Sequence, residues 1–270
     1  MINTDAEYSK FFTKSALKYI ISGKVKTLDH LQKNNLQKIK EIYKYLCSSY
    51  RNEYVYKNTL FNKLVIGKHS LNTTSAITEL PVAESIADFV MINGKAVVYE
   101  IKTELDSLDR LGGQLSSYYK AFDIVYVVVS EHHYKTVANL LEDTPVGIIV
   151  LSKRLTLSVR KVAISDTTHF SKDIWFTILR KYEFEAILKK YYDSLPVVSD
   201  FLYYQACKQL FLNLDTDVLY REFILQLKNR NLRQAKYIDY YTIPAELRFL
   251  VYFSRLKKKE YESLCQFLTI

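Results

Sequence analysis

The chain has 270 residues, of which 49% are hydrophobic and 14% aromatic, and it carries a formal net charge of +9. This content excludes a disordered protein and is sufficient for one large domain or for a core with appendages. No run of 18 apolar residues and no basic-apolar leader occurs, so we expect neither a membrane span nor a signal peptide. Three scattered cysteines, Cys47, Cys207 and Cys265, indicate free thiols in a reducing compartment, and we expect a cytoplasmic protein.

Residues 1–50 predict a basic, helical N-terminal extension. Apolar residues three and four apart run from Glu7 to Ile21 and from Leu28 to Tyr50, with Gly23 between the two helices. Residues 1–68 contain 13 Lys or Arg against 5 Asp or Glu. The alternative to a binding role is the solvated surface of a lysine-rich protein. Four lysines can share an exposed face and are predicted to contact nucleic-acid phosphates: Lys33, Lys38, Lys40 and Lys44.

Residues 86–102 indicate two strands that carry two carboxylates and an amine. Asp88 lies on the first strand, and the triplet Glu100-Ile101-Lys102 lies on the second. Side chains alternate along a strand, so Glu100 and Lys102 share one face. Charged groups at this spacing in apolar strand sequence are costly to place there for structural reasons alone.

Whether Asp88 joins that face depends on the turn around Asn93 and Gly94. An odd number of connecting residues places Asp88 on the same face, and a two-residue hairpin places it on the opposite face. We expect a three-residue turn over residues 92–94 with Gly94 left-handed. Asp88 would then lie opposite Val98 and diagonal to Glu100, at roughly 7–8 Å between backbones.

These groups predict a metal-assisted site that cleaves phosphodiester bonds. Mg²⁺ prefers octahedral oxygen coordination with few protein carboxylates. The predicted ligands of Mg²⁺ or Mn²⁺ are Asp88, Glu100 and the carbonyl of Ile101. Lys102 is predicted to orient the attacking water or to offset charge in the transition state. The alternative is a surface hairpin whose cross-strand ion pair is worth at most about 1 kcal/mol.

The segments on either side complete the predicted core. Residues 52–65 have helical spacing, and residues 73–82 indicate a first strand. Apolar residues at helical intervals between Leu105 and Phe122 predict a helix whose start Asp106 or Ser107 could cap. Residues 123–130 form a continuous β-branched run, which is typical of a strand buried on both faces. The order strand, strand, helix, strand predicts a mixed sheet with a crossover helix and an α/β (α+β) fold class.

Here the chain resembles the PD-(D/E)XK nuclease superfamily, whose restriction-endonuclease-like core is αβββαβ. The resemblance rests on Asp88, Glu100-x-Lys102 and the following helix. The segment Gln114-Leu-Ser-Ser-Tyr118 also matches the Q-h-x-x-Y motif of the RecB-like branch. Ala87 stands where the superfamily has Pro, and an Arg that some relatives carry at this point is missing.

A narrower resemblance covers about residues 50–155. The run Y-E-I-K-T-E-L-D-S-L-D-R-L-x-x-Q at 99–114, with residues 53–58 and 67–71, is similar to a bacterial and phage-associated family of nuclease-like proteins. The superfamily often adds a Glu from the first helix or strand, for which Glu79 is the better match and Glu53 the second. Gln114 and Tyr118 are implied to position a phosphate or Lys102, and Arg110 is a further candidate contact to nucleic acid. For each Glu the alternative is a solvated surface residue, and for Tyr118 it is packing on the sheet.

The predicted organisation is an extension over 1–50, a nuclease-like core over 51–165 and a helical region over 166–270. The expected activity is Mg²⁺-dependent hydrolysis of DNA, with RNA as an open alternative substrate. A second reading is a catalytically inactive module on a nuclease fold that binds nucleic acid or protein, for example as a regulator in conflict between phage and host. The C-terminal helices could carry a homodimer or protein-partner interface.

Overall fold

The computed structural model describes residues 4–22, 34–69, 71–232 and 237–269. Within these ranges, six strands form one mixed sheet in the order β1-β2-β3-β4-β5-β6. β1, β2 and β3 are antiparallel neighbours, β3, β4 and β5 are parallel, and β6 is antiparallel to β5. The strands are β1 (Ser75–Val82), β2 (Ser85–Asn93), β3 (Lys95–Lys102), β4 (Ile124–Ser130), β5 (Gly147–Leu151) and β6 (Leu157–Lys161).

Helices precede, interrupt and follow the strands, so the fold is mixed α/β as predicted. Among the described residues, none of them is long and apolar enough to cross a membrane. They are α1 (Thr4–Phe11), α2 (Lys14–Ile21), α3 (Asn35–Ser49), α4 (Glu53–Leu60), α5 (Leu111–Tyr119), α6 (Glu131–Leu140), α7 (Lys172–Ile178), α8 (Lys181–Tyr191), α9 (Asp200–Asn213), α10 (Thr216–Leu232), α11 (Arg248–Ser254) and α12 (Lys258–Thr269). α4 continues as a π-helical segment, Phe61–Ile66.

The two faces of the sheet are covered by different helices. On one face, buried residues of β1–β5 pack against α5 and the helices α7–α10. On the other face, Phe89, Tyr99 and Ile101 pack with α1–α4, α11 and α12. The predicted N-terminal and C-terminal flanks therefore each contribute side chains to cores that include the central strands.

The turn between β2 and β3 differs in length from the prediction. Asn93 pairs with Lys95, so Gly94 alone connects the strands, at φ +75°. The predicted odd number of residues and left-handed Gly94 are confirmed, and the predicted three-residue turn over 92–94 is wrong. Glycine lacks the Cβ that disfavours this conformation, so pairing continues right up to the turn. Val98 consequently faces Val90, and the same register continued to Asp88 sets it opposite Glu100.

The crossover helix starts later than its apolar spacing indicated. α5 begins at Leu111, and residues 103–110 form a loop, so the predicted cap at Asp106 or Ser107 is wrong. Asp106 accepts hydrogen bonds from the backbone N–H and hydroxyl of Thr103, at 2.8 and 2.7 Å, instead of capping a helix. A short polar side chain that bonds its own neighbourhood favours a turn over a helix.

Candidate active site

The pairing of β1 and β2 is interrupted where two predicted site residues meet. Thr78 pairs with Phe89 and Leu80 with Ala87, so Glu79 and Asp88 lie opposite each other in the same register but do not form a backbone pair. Glu79 has a left-handed backbone, φ 54°, which is costly for a residue with a Cβ and is typical of functional sites. The irregularity releases both carboxylates from the regular alternation of the two strands.

β2 and β3 also separate at this point. Their ladder ends at the pair Phe89 and Tyr99. Beyond it, the carboxylate of Asp88 accepts a hydrogen bond from the Ile101 N–H at 2.8 Å, so a side chain takes the place of the neighbouring strand. The structure therefore places the N–H of Ile101 in contact with Asp88, whereas the sequence analysis predicted the Ile101 carbonyl as a metal ligand.

Glu100 and Lys102 form a buried ion pair. Glu100 is 1% and Lys102 6% exposed, and Lys102 Nζ lies 2.9 Å from Glu100 Oε1. Tyr118 Oη lies 2.6 Å from Glu100 Oε2, and Lys102 donates to Gln114 Oε1 at 2.7 Å. The structure thus brings Gln114 and Tyr118, one turn apart on α5, to the two predicted residues of β3.

A second cluster of carboxylates lies beside this pair. Oxygen atoms of Glu53, Glu79 and Asp88 all lie within 4.8 Å of one another. The ammonium of Lys57 pairs with both Glu53 and Glu79. The structure therefore brings both additional Glu candidates to Asp88, and Glu100 stays just outside the group because its oxygens contact Lys102 and Tyr118.

Lys57 is a residue of this site that the sequence reasoning missed. It lies on α4, one turn after Glu53, and it is only 6% exposed. Lysine is rarely this buried unless it is paired, so its position marks a structured charge cluster. The i, i+4 spacing of Glu53 and Lys57 was the available signal, but that spacing is common on solvated helices.

Burial and neighbouring charges shift the pKa values of several groups in this site. Burial, together with the nearby Glu100 carboxylate, raises the pKa of Asp88 to about 7, although the Ile101 N–H lowers it. Burial lowers the pKa of Lys57, but Glu53 and Glu79 outweigh that effect and the net direction is upward. Burial and Glu100 also raise the pKa of Tyr118, so its hydroxyl keeps its proton and can donate it in a hydrogen bond.

The carboxylate group fits a divalent cation. Ligands on opposite sides of a Mg²⁺ ion are about 4.2 Å apart, and those around Ca²⁺ are about 5 Å apart. The oxygens of Glu53, Glu79 and Asp88 lie within 4.8 Å of one another, an upper limit of the same order as these spans, so one ion could contact all three. All three donors are oxygen atoms, which is the ligand type that Mg²⁺ and Mn²⁺ prefer.

The residues predicted to contact phosphates lie elsewhere. Lys40 and Lys44 are exposed and Lys38 is half-buried on α3, and Lys33 and Gly23 lie outside the described residues. Arg110 is exposed immediately before α5. None of these described side chains takes part in the hydrogen bonds or ion pairs that join Glu53, Lys57, Glu100 and Lys102.

Comparison with known proteins places this geometry within a protein family. A family model described as bacteriophage P4 protein cII matches residues 47–241, which are 195 of the 270 residues. The chain belongs to the bacteriophage P4 protein cII family. The region shared with this P4 cII family runs from the end of α3 to a point before α11, and it includes the sheet and every residue of the carboxylate cluster. No curated protein and no solved structure matches the chain.

The raised pKa of Asp88 predicts a stability change that depends on pH. A carboxyl group whose pKa rises from 3.8 to about 7 on folding favours the folded state while it is protonated, and this contribution is lost as pH rises from about 4 through 7. In EDTA, Asp88→Asn should therefore be more stable than the parent at pH 8, by up to a few kcal/mol. At pH 4 the two should differ little.

Urea unfolding at pH 4, 6 and 8 measures this difference. The control is Asp143→Asn, at an exposed carboxylate in the loop after α6, which should show no such trend. A stability difference between Asp88→Asn and parent that stays constant with pH would contradict the assigned shift.

Proposed function

We propose that this chain is a divalent-metal-dependent nuclease that hydrolyses phosphodiester bonds in DNA. The observation that carries the proposal is the charge of the site. Four carboxylates, of Glu53, Glu79, Asp88 and Glu100, face two ammonium groups, those of Lys57 and Lys102. When all are ionised the balance is −2, which a divalent cation would neutralise in a partly buried setting where unpaired charge is costly.

The residues have separable roles under this proposal. Glu53, Glu79 and Asp88 would hold Mg²⁺ or Mn²⁺, which when bound supplies Lewis-acid polarisation of a phosphoryl oxygen and a more acidic water. Glu100 holds Lys102 in place through their ion pair. The Lys102 ammonium would orient the attacking water or lie beside the negative oxygens of the phosphoryl group, where a fixed cation stabilises developing charge.

The residues of α5 support that pair. Tyr118 contacts one oxygen of Glu100 and Lys102 contacts the other, so the carboxylate has little freedom to rotate. Gln114 accepts from Lys102 and fixes the ammonium in a second direction. A preorganised donor needs no rearrangement as charge develops, and this is the physical value of the Gln114 and Tyr118 contacts.

The order of elements supports the same proposal. α4, β1, β2, β3, α5 and β4 follow one another as helix, three strands, helix and strand, with β3 and β4 parallel. This is the αβββαβ order of the PD-(D/E)XK superfamily that the D…ExK residues resemble. The two lines of support are independent, because one concerns side chains and the other concerns topology.

Lys57 favours a second candidate, a module that binds nucleic acid or protein without cutting it. Its ammonium contacts Glu53 and Glu79, two of the three oxygen donors, and so competes with a metal ion for them. If Lys57 keeps that position in solution, the site is neutralised internally. Calorimetric titration with Mg²⁺ and Mn²⁺ distinguishes the candidates, since the inactive module would bind neither ion at the Asp88 cluster.

Cleavage assays test the leading proposal directly. Supercoiled plasmid, linear duplex and single-stranded DNA, and an RNA of matched length, are incubated with Mg²⁺, Mn²⁺ or EDTA. We expect metal-dependent cleavage that Asp88→Ala abolishes and Asp143→Ala, a matched exposed carboxylate, leaves intact. Absence of cleavage of any substrate, or equal cleavage by Asp88→Ala, would reject a nuclease that uses this site.

A further inference from the structure

A cleft of about 500 Å³ opens next to the carboxylate cluster. Residues 77–81 of β1, which is an edge strand of the sheet, form one wall and include Glu79. The other walls come from the flanks of the chain: α2 from the N-terminal extension, the start of α8, the end of α10 and the segment 253–256. The cleft therefore exists only because both flanks pack beside β1.

Four exposed cations line this cleft. They come from three separate segments and are Lys14, Lys18, Arg180 and Arg255. Among the described residues, none of the four has a carboxylate partner within ion-pair distance. A group of like charges raises the free energy of the fold through repulsion unless an anion is bound. The cleft thus has an unsatisfied positive potential beside an acidic site.

The other charges of the cleft are already engaged. Arg230 is buried against Glu183, with Nε 2.7 Å from one oxygen and Nη2 2.6 Å from the other. Glu260 accepts the Lys257 N–H at 2.7 Å at the start of α12. Glu79 pairs with Lys57. What the cleft offers to a ligand is therefore the four cations without a carboxylate partner, of which Arg180 also donates to the Tyr182 hydroxyl at 3.1 Å.

One of these cations is held by the fold. Arg255 has a left-handed backbone, φ 49°, at the end of α11. Its Nη2 donates to Asn231 Oδ1 at 2.8 Å, and Asn231, only 7% exposed, donates in turn to the carbonyl of Ala76 on β1. A guanidinium fixed by a buried amide retains free N–H groups for a phosphate, which is the anion that its planar fork suits best.

We propose that this basic cleft binds the sugar–phosphate backbone of the substrate strand and leads it to the carboxylate cluster. The choice of a nucleic acid as the ligand rests on the proposed function, and the proposed path of the strand rests on the position of the cleft. Lys14 and Lys18 lie one turn apart on α2 and can contact successive phosphates. Arg180 and Arg255 face the same cleft from the C-terminal half. Contacts to phosphates give affinity without sequence preference.

Binding measurements on the full chain test the path. Fluorescence anisotropy in EDTA compares the parent with the quadruple variant K14Q/K18Q/R180Q/R255Q. The probes are labelled single-stranded and duplex DNA of about 30 nucleotides per strand. We expect Kd to rise at least about tenfold for the strand form that is the substrate. The slope of log K against log salt should fall by up to about 2.8 for single strands or 3.6 for duplex.

A matched control removes the same charge from other surfaces. The variant K95Q/K135Q/K153Q/K189Q replaces four exposed lysines on β3, α6, the loop after β5 and α8, none of them a predicted phosphate contact. It should keep Kd within about twofold, a change that is small beside the loss of specific phosphate contacts. Equal losses in both variants, or an unchanged Kd in the cleft variant, would overturn the proposed path. Circular dichroism of each variant shows that the fold is retained.

The outcome is separable from that of the nuclease proposal. If the parent binds through the cleft but never cuts, the nuclease proposal fails and the binding path stands. If the parent cuts and the cleft variant binds and cuts as the parent does, the path fails and the nuclease proposal stands.

Discussion

Replacing Lys102 by methionine should lower cleavage at saturating DNA and Mg²⁺ by about 10²- to 10³-fold, the usual loss when one preorganised transition-state donor is removed. Methionine keeps most of the side-chain volume, so the change removes the ammonium and little packing. The same substitution should destabilise the protein, because Glu100 is 1% exposed and would lose the ammonium group beside it, with Tyr118 as its remaining partner. Leaving a buried charge unpaired costs about 3–5 kcal/mol.

The double variant Glu100→Gln/Lys102→Met separates the two effects. With both charges gone, the free energy of unfolding should recover most of the loss, because a neutral amide can still accept from Tyr118. Cleavage should stay as low as in the single variant. Lys95→Met, at an exposed lysine on the same strand, is the control. Recovery of cleavage in the double variant would show that Lys102 acts only by balancing Glu100.

The burial of this ion pair limits what single variants can show. In an exposed cleft, Asp88, Glu100 and Lys102 could each be replaced with little loss of fold. The structure gives Glu100 and Lys102 almost no exposure. Activity losses in single variants therefore need the stability measurement beside them, and Asp88, which is partly exposed, is the cleaner residue for a test of cleavage alone.

The hairpin shows how far periodicity can predict this fold. Alternation along β3 puts Glu100 and Lys102 on one face without any tertiary information. The predicted turn had the correct odd number of residues but was too long. Its length depends on how far the strands pair toward Gly94, which alternation does not specify. The start of α5 was missed for a related reason: Leu105 and Leu108 have helical spacing, but the hydrogen bonds from Thr103 to Asp106 outweigh it.

The carboxylate cluster shows what periodicity cannot predict. Glu53 and Glu79 are 26 residues apart, and a pattern in one strand or helix carries no information about which other element packs on it. Resemblance to a family proposed these two residues, whereas Lys57 had no motif to mark it. The left-handed backbone of Glu79 is likewise invisible to propensity, since tertiary contacts impose it against the preference of the residue.

Replacing Trp175 by alanine should destabilise the whole chain by about 3–5 kcal/mol, in the range for a large buried aromatic. Trp175 is fully buried on α7, and its Nε1–H donates to the carbonyl of Ala121 at 3.0 Å, just before β4. Its ring lies 5.5 Å from that of Tyr220 on α10, whose hydroxyl donates to Asp123. The side chain therefore joins the C-terminal helices to the sheet.

The unfolding profile carries the second half of this prediction. Trp175 is the only tryptophan, so its fluorescence reports on this junction, and in the parent it should follow the same urea transition as far-ultraviolet circular dichroism. Trp175→Ala, followed by circular dichroism, should shift that single transition to lower urea. Tyr182→Ala, at an exposed aromatic on α8, should change the free energy of unfolding by less than about 0.5 kcal/mol.

Two separate transitions in the Trp175→Ala variant would instead indicate that residues 166–270 unfold as a unit of their own. A single one would mean that the region supports the carboxylate cluster through the shared core, since the same sheet that Trp175 anchors carries Asp88 and Glu100.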